Sequence, residues 1–330
     1  MGVSGGPDSV CMLDVMAKLA PKYNLQLIIA HVNYGLRGKD SEKDEKFVRK
    51  LAGEYGLEIK ILKSLRLNLS ETKISESALR EIRYKFFEKV RKENSSDLIA
   101  VAHNLDDQAE TFLMRIIRGA GLKGLAAMKY KSVYPVKSAK GGPAEREFNR
   151  GTIIRPLLGI TREEILEYLK GVKGIRGVRE IYRTDRTNKK NIFLRNKVRN
   201  KLIPYLEKNF NPKIKKTIFN AAASVAEDYS LIQEAVEKIY GTNGMKGTNK
   251  AKNFLSVKKL LKLHPALQRR VLLKLISEKK PDLKDIESAH IEEILKALRS
   301  TKGKSQVVIF KGLKLTRKND KVTIENQITR

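Results

Sequence analysis

A loop of small and hydroxylated residues near the amino terminus is the first stretch whose residue types could do chemistry. It reads SGGPDS and consists of Ser4, Gly5, Gly6, Pro7, Asp8 and Ser9. Small residues ahead of a helix let backbone N–H groups surround an anion, and the helix dipole adds a favourable potential. The loop lacks the lysine that follows the glycines of a P-loop and holds the carboxylate of Asp8 instead. A divalent cation shared with a phosphate explains this carboxylate, and a plain Gly-Pro turn with Asp8 capping the helix is the alternative.

The segment AHNLDDQAETF contains the second group of reactive side chains. His103, Asp107 and Glu110 are spaced i, i+4 and i+7, so they share one helix face if the helical turn already includes His103. Acidic residues also favour the first turn of any helix, and a lone histidine is more often structural. Their convergence with the loop at one sheet edge favours a reaction centre.

Two arginines three residues apart lie on a basic helical segment, ESALREIRYKFFEKV. Arg80 and Arg83 could together hold a phosphate or stabilise negative charge that develops on it. Solvated surface arginines are the alternative.

The elements that must position these residues alternate along the first half of the chain. Apolar runs at 25–31, 57–62 and 97–102 predict strands, and helical periods at 40–55, 75–92 and 106–118 predict helices between them. Alternating strands and helices predict an α/β fold, a parallel sheet with helices on both faces. Ligand sites of such sheets lie at the carboxyl ends of the strands, where the loop and His103 are expected.

The second half of the sequence predicts a smaller helical region that ends in a β-meander. Residues 131–151 indicate a long mobile loop, and Thr161 with Glu164 has the spacing of a capping box. Helices are predicted at 214–240, 256–278 and 285–298, and the meander in QVVIF, LKLTRK and KVTIE. The domain boundary is predicted near residue 210, after a basic connecting helix at 181–210.

The charge, the cysteine content and the length of the apolar runs limit which kinds of partner the protein can have. The 330 residues include 68 Lys+Arg and 37 Asp+Glu, a net charge of +31, which favours nucleic acid, whereas a generally lysine-rich proteome is the alternative explanation. The single cysteine, Cys11, excludes disulfides and cysteine-ligated metal clusters. We expect a soluble, cytoplasmic protein without a membrane partner, because no signal-peptide pattern or apolar run of about 18 residues occurs.

The SGGPDS loop resembles the pyrophosphate-binding loop of the N-type ATP pyrophosphatases, which have a Rossmann-like fold. These enzymes cleave ATP between the α and β phosphates to activate an oxygen as its adenylate. The resemblance implies an ATP-pyrophosphatase catalytic domain at 1–210, with ATP as substrate and Mg²⁺ as its metal.

Further segments resemble the tRNA(Ile)-lysidine synthetases over residues 1–212 and, more loosely, over the tail. They are HVNYGLRGKDSEKDEKFVRKLA, the arginine-bearing helix, AHNLDDQAETFLMRIIRGAGLKGLAAM, IIRPLLGITREEI and DRTNKKNIFLRNKVRNKLIPYLEKNFNP. The resemblance implies that ATP adenylates the oxygen on carbon 2 of the wobble cytidine of a tRNA(Ile) with a CAU anticodon. The amine of free L-lysine then displaces AMP. It also implies tRNA binding by residues 211–330 and allows a homodimer.

The same resemblance implies roles for individual residues. The ATP-binding set is Ser4, Gly5, Gly6, Pro7, Asp8, Ser9 and His31. The catalytic set is Arg83, His103, Asp107 and Glu110, and the metal ligands are Asp8 and Asp107. The tRNA-binding set is Arg80, Arg186, Asn188, Arg195, Asn196 and Arg199, of which those from the DRTNKKNIFLRNKVRNKL run either contact tRNA or brace the site.

One departure and two rival functions accompany this interpretation. Only Met1, Gly2 and Val3 precede the loop, fewer than a central strand needs, so we expect a truncated chain or a misassigned start. A tRNA-thiolating enzyme is the nearest rival, although such enzymes generally need paired cysteines or a cluster. A non-catalytic basic RNA-binding protein on the same fold is the other.

Overall fold

The computed structural model describes residues 1–63, 75–133, 151–172, 181–183, 194–242, 255–281, 283, 285–301 and 305–327. It divides the chain into two compact units, Met1–Ala226 and Glu227–Arg330. The division lies inside the long helix Ile214–Thr242, whereas the sequence placed a boundary ahead of that helix. The functions assigned to the two parts of the chain stay predictions.

The strands of the amino-terminal unit are β1 (Ile28–Asn33), β2 (Glu58–Lys63), β3 (Leu98–Ala100), β4 (Lys131–Val133) and β5 (Thr152–Ile154). β1 and β2 are parallel, β3 and β5 are parallel, and β4 runs antiparallel to β5. Gly2 forms parallel bridges to both Ala30 and Val101 and so joins the two sheets. Its N–H donates to the Ala100 carbonyl at 2.9 Å. The first three residues therefore occupy the central position, and the loop that follows them starts at the carboxyl edge.

The helices of this unit are α1 (Pro7–Tyr23), α2 (Lys39–Glu54), α3 (Glu76–Glu93), α4 (Leu105–Ile117), α5 (Leu122–Leu125), α6 (Arg162–Gly171), α7 (Leu194–Lys197), a π-helical turn at Val198–Leu202, α8 (Ile203–Asn209) and the start of α9 (Ile214–Thr242). Adjacent strand residues enter different hydrophobic clusters, because side chains alternate across a strand. Ile29 packs with Leu13, Leu51 and Ile165 of α1, α2 and α6, whereas Ala30 packs with α3. Helices thus cover both faces of the sheet, as predicted.

Two predictions for this unit need correction. Residues 131–133 of the predicted loop form β4, which pairs with β5 through Ser132 and Ile153. A three-residue strand is too short to show alternation, and residues 134–150 lie outside the described part of the chain. The predicted connecting helix at 181–210 is helical only from Leu194, and residues 184–193 are likewise outside the described residues.

The carboxy-terminal unit contains the rest of α9, β6 (Leu255–Ser256), α10 (Val257–Leu261), α11 (Pro265–Ser277), α12 (Ser288–Arg299), β7 (Gln306–Phe310), β8 (Leu313–Lys318) and β9 (Lys321–Asn326). Its sheet has the order β6-β9-β8-β7 with antiparallel neighbours, which confirms the meander. The helix predicted at 256–278 is two helices, because Pro265 starts a new one. Leu260, Leu272, Ile294 and Leu315 belong to a core formed within this unit.

None of the helices in the described ranges is long and apolar enough to cross a membrane.

Candidate active site

The SGGPDS loop turns from the central segment into α1 at the carboxyl edge of the sheet. Gly5 has φ +88°, a left-handed conformation that favours glycine, and Pro7 is the first residue of α1. The Ser9 hydroxyl oxygen accepts from the N–H groups of Ser4 and Gly5, both at 3.1 Å, and the hydroxyl donates to the Gly6 carbonyl at 2.9 Å. Ser9 therefore fixes the shape of the loop.

A cavity of about 670 Å³ opens beside this loop and lies within the amino-terminal unit. It brings together most of the residues that the sequence predicted for the site. From that set its walls include Ser4, Asp8, Ser9, Arg80, Arg83, His103, Asp107, Arg195, Asn196 and Arg199.

Asp8 projects from the first turn of α1 and has two partners in other elements. Its Oδ1 accepts from the Asn104 side-chain amide at 3.1 Å, and its Oδ2 forms an ion pair with Arg162 of α6. Burial raises the pKa of Asp8, and the nearby charge of Asp107 adds to this increase, whereas Arg162 opposes it. The sequence assigned no role to Asn104 or Arg162, since their contacts with Asp8 join positions 96 and 154 residues apart.

Asp107 and Glu110 of α4 face two arginines from the helical turns that follow residue 193. Arg195 binds Asp107 at 2.9 Å and Glu110 at 2.8 Å, and Arg199 binds the same two carboxylates at 3.3 and 2.5 Å. Glu110 is only 1% exposed, so its charge depends on these partners. Burial alone lowers the pKa of Arg195, but Asp107 and Glu110 raise it above the usual arginine range. The two arginines thus brace the two carboxylates.

His103 lies at the cavity wall but not on the helix. Asn104 is the N-cap of α4 and accepts from the Asp107 N–H at 2.9 Å, so the expectation that the helical turn includes His103 is wrong. An N-cap has an extended backbone, which breaks the i, i+4 register one residue after the histidine. Burial lowers the pKa of His103 to about 3, and Arg155, Arg80 and Arg83 contribute to the decrease, whereas Asp107 opposes it. Its Nδ1 is buried without a hydrogen-bond partner among the described residues. The imidazole is neutral at physiological pH.

Arg80 and Arg83 lie on the wall formed by α3. Their guanidinium carbons lie 4.9 and 5.7 Å from the ring centroid of Tyr84. Stacking on one ring holds both cations at the cavity, and no carboxylate of the described residues forms an ion pair with either.

Five described residues of the predicted set are not among the cavity-lining residues: Gly5, Gly6, Pro7, His31 and Glu110. His31 is 3% exposed, and its Nδ1 lies 2.8 Å from the Val3 carbonyl, behind the loop rather than among the cavity-lining residues. Arg186 and Asn188 lie outside the described residues.

The comparison with protein families supports the interpretation of this site. A family model described as the PP-loop domain matches residues 1–206. The chain belongs to the PP-loop family. A second model, described as the TilS substrate binding domain, matches residues 255–322 of this PP-loop protein. The resemblance found in the sequence is confirmed in both regions.

Curated relatives named tRNA(Ile)-lysidine synthase match most of the chain. The protein of Caldanaerobacter subterraneus subsp. tengcongensis is 36% identical over 304 residues, which cover 90% of this chain and 59% of the relative. The protein of Clostridium perfringens is 35% identical over 315 residues, which cover 95% of this chain and 61% of the relative. The protein of Clostridioides difficile is 32% identical over 333 residues, which cover 99% of this chain and 66% of the relative. The PP-loop protein thus spans about three fifths of the length of these relatives.

A solved structure shares the fold of this PP-loop protein. It is the U34-tRNA thiolase NcsA from Methanococcus maripaludis with its [4Fe-4S] cluster, with a TM-score of 0.52 and 26% identity. The match covers 69% of this chain and 70% of the thiolase. The single cysteine here, Cys11, is buried in α1, so it cannot supply the cysteine set that ligates such a cluster.

Proposed function

We propose that this protein uses ATP to ligate free L-lysine to carbon 2 of the wobble cytidine of a tRNA(Ile) with a CAU anticodon. The observation that carries the proposal is the order of the two family matches, a PP-loop domain at 1–206 and a TilS substrate binding domain at 255–322. The relatives of this name align with 90% or more of the chain. A cavity that joins the phosphate loop to arginines and carboxylates supports the same reaction.

The loop would bind the phosphates of ATP. Ser4, Asp8 and Ser9 of the loop line the cavity, and the Ser9 hydroxyl holds the backbone of Ser4, Gly5 and Gly6 in shape ahead of Pro7. His31 would contribute to ATP binding indirectly. It is buried and lies against the Val3 carbonyl, so it would hold the start of the loop in place.

The carboxylates of Asp8 and Asp107 fit a shared Mg²⁺. They lie close enough for the charge of Asp107 to raise the pKa of Asp8, a repulsion that a cation relieves. In the described part of the chain no group of three or more His, Cys, Asp or Glu could hold a metal, so phosphate oxygens would complete the ligand set. Bound there, Mg²⁺ would neutralise the pyrophosphate leaving group.

Two substitutions make up the reaction. In the first, the O2 oxygen of cytosine attacks the α-phosphorus, the bond to the β-phosphate oxygen breaks, and pyrophosphate leaves. In the second, the amine of lysine attacks C2, the C2–O bond breaks, and AMP leaves with the oxygen. The amine loses a proton. Arg83 stabilises charge on the α-phosphate, and the neutral His103 beside it can accept a hydrogen bond.

Asp107 is the carboxylate that would meet lysine, because it lines the cavity. It can hold the ammonium group or accept the proton of the attacking amine. Glu110 is buried beneath it and acts by holding Arg195 and Arg199.

The tRNA contacts would come from Arg80, Asn196 and the outer faces of Arg195 and Arg199, with Arg186 and Asn188 from the neighbouring segment. Cations suit phosphates, and amides suit base edges. The carboxy-terminal unit would add its own tRNA contacts. We place the reaction in the cytoplasm with its tRNA substrate, and a sedimentation measurement tests the homodimer that the family resemblance allows.

The test is an incubation of the protein with ATP, Mg²⁺, radiolabelled lysine and a tRNA(Ile) with a CAU anticodon. We expect label on the RNA only with ATP, and none on a methionine tRNA with the same anticodon. Pyrophosphate release without lysine incorporation would refute the ligation and direct attention to another nucleophile, such as sulfur.

A further inference from the structure

An arginine outside the predicted site contacts the phosphate loop. Arg162 is the first residue of α6, and its Nη1 forms an ion pair with Oδ2 of Asp8. Its backbone N–H donates to the Asp106 carboxylate at 2.8 Å, and Asn104 donates to Asp8. These contacts bring the amino ends of α1, α4 and α6 together around Asp8.

The position of Arg162 is unfavourable for the helix itself. A cation in the first turn opposes the helix dipole, and the next two residues, Glu163 and Glu164, are the acids that this turn prefers. Nor does the ion pair explain it, since the Arg162 side chain is 41% exposed and such pairs contribute at most about 1 kcal/mol. The guanidinium therefore calls for a functional explanation.

Among the described residues that line the cavity, none on the loop side is a cation that could bind a polyphosphate; Arg162 is not in this lining but contacts Asp8, which is. Among the cavity-lining residues, Arg195 and Arg199 are neutralised by Asp107 and Glu110, and Arg80 and Arg83 belong to α3. The loop contains no lysine. The Arg162 side chain contacts the loop at Asp8, and its N–H groups other than those on Nη1 have no partner among the described residues. Arg183 contacts the loop through its backbone N–H, which donates to the Gly5 carbonyl at 2.9 Å, and its side chain pairs with Asp44.

We propose that Arg162 is a ligand of the β- and γ-phosphates of ATP and of the pyrophosphate that leaves. It neutralises Asp8 in the ligand-free protein and turns its unused N–H groups to phosphate oxygens when ATP binds. A guanidinium can hold two oxygens at once, which suits a leaving group with several charged oxygens. The inference rests on the proposed use of ATP. Arg162 of α6 would then contact the β- and γ-phosphates, as the lysine of a P-loop does.

The test is calorimetric titration with three probes in the presence of Mg²⁺: ATP, pyrophosphate and AMP. In Arg162→Gln we expect the affinity for ATP and for pyrophosphate to fall about tenfold or more, the loss of a charge-assisted hydrogen bond, with AMP binding within about twofold of wild type. The affinities of Arg162→Lys for ATP and pyrophosphate should lie between those of wild type and Arg162→Gln. Lysine keeps the positive charge but cannot bind two oxygens at once as a guanidinium does. Arg269→Gln is the control, since the Arg269 side chain is about as exposed as that of Arg162 and pairs with Glu292 in the carboxy-terminal unit.

Two results would overturn the inference. One is pyrophosphate affinity in Arg162→Gln equal to or tighter than wild type with only a lower melting temperature, which would make the ion pair a structural contact. The other is equal loss for AMP and pyrophosphate. If Arg162→Gln does not fold, pyrophosphate affinity in Arg162→Lys equal to wild type overturns it. A wild-type protein that binds neither ATP nor pyrophosphate would refute the proposed function, and the inference with it.

Discussion

Two neighbouring carboxylates on one helix, Asp107 and Glu110, differ in exposure. Glu110 is 1% exposed and its Asp107 neighbour has a side chain 16% exposed, yet both pair with Arg195 and Arg199. A buried charge that loses a partner is strongly destabilising, whereas a charge at a cavity wall can exchange partners with a ligand. We therefore propose a catalytic task for Asp107 and a structural one for Glu110.

The exchange of each carboxylate for its amide separates the two tasks. Asp107→Asn should abolish lysine incorporation while tRNA affinity stays within about twofold. Glu110→Gln should lower the free energy of unfolding by about 3 kcal/mol, because two partly buried arginines lose a fully buried counter-charge. Filter binding, the labelling assay and urea denaturation measure these effects. Loss of tRNA binding in Asp107→Asn would move that residue out of the reaction centre.

The depressed pKa of His103 predicts a pH dependence of stability. The folded pKa is about 3 and the unfolded value about 6.5, so the unfolded state binds more protons between them. The contribution is complete above pH 6.5 and is lost as the pH falls toward 3. Between pH 7 and pH 5 the free energy of unfolding of the wild type should fall by about 2 kcal/mol more than that of His103→Gln. Urea denaturation at the two pH values measures both. Equal losses would show that the histidine is protonated in the folded state.

At the scale of elements, the loop depends on one glycine more than on its neighbour. Gly5 has φ +88°, and a Cβ there would lie 3.3 Å from Phe47 and Val48, whereas Gly6 has φ −75° and open space except for Ser4 at 3.5 Å. Only the first position strains an ordinary side chain.

Alanine at the two positions tests this difference. Gly5→Ala should lower the free energy of unfolding by about 1–2 kcal/mol, and Gly6→Ala should change it by less than about 0.5 kcal/mol. Urea denaturation of both variants gives the comparison. Similar losses would mean that the left-handed turn does not hold the loop.

Much of the amino-terminal fold was predictable because its helices have sustained apolar periods. The helix expected at 75–92 is Glu76–Glu93, and the one expected at 106–118 is Leu105–Ile117. The short strands Lys131–Val133, Thr152–Ile154 and Leu255–Ser256 carry no period and were missed, whereas Leu98–Ala100 was predicted because it lies inside a longer apolar run. For the same reason the site was predictable where it is local in sequence, as in SGGPDS, and not where Arg162 reaches Asp8 across 154 positions.

At the scale of the whole molecule, each unit has its own hydrophobic core. The cluster of the carboxy-terminal unit extends from Val236 to Ile324, and the three clusters of the other unit contain buried residues only from Val3 to Ala222. No described cluster draws buried residues from both units. The carboxy-terminal unit therefore holds the apolar contacts that a separate domain needs.

A fragment of residues 227–330 should consequently fold alone. We expect a cooperative thermal transition by circular dichroism and dispersed amide resonances. Leu272→Ala within the fragment is the control and should lower the free energy of unfolding by about 2–5 kcal/mol, because Leu272 is fully buried. An unfolded fragment would show that the unit needs the rest of the chain.

The pairing of Glu110 with Arg195 and Arg199 also has an evolutionary consequence. Three positions separated by 85 and 89 residues are bound into one inherited unit, since loss of Glu110 deprives both arginines of a buried counter-charge, and loss of either arginine removes a partner from a carboxylate that is 1% exposed. Descendants of this gene should change these three positions together or not at all. A lineage in which Glu110 has become neutral should also have replaced Arg195 or Arg199.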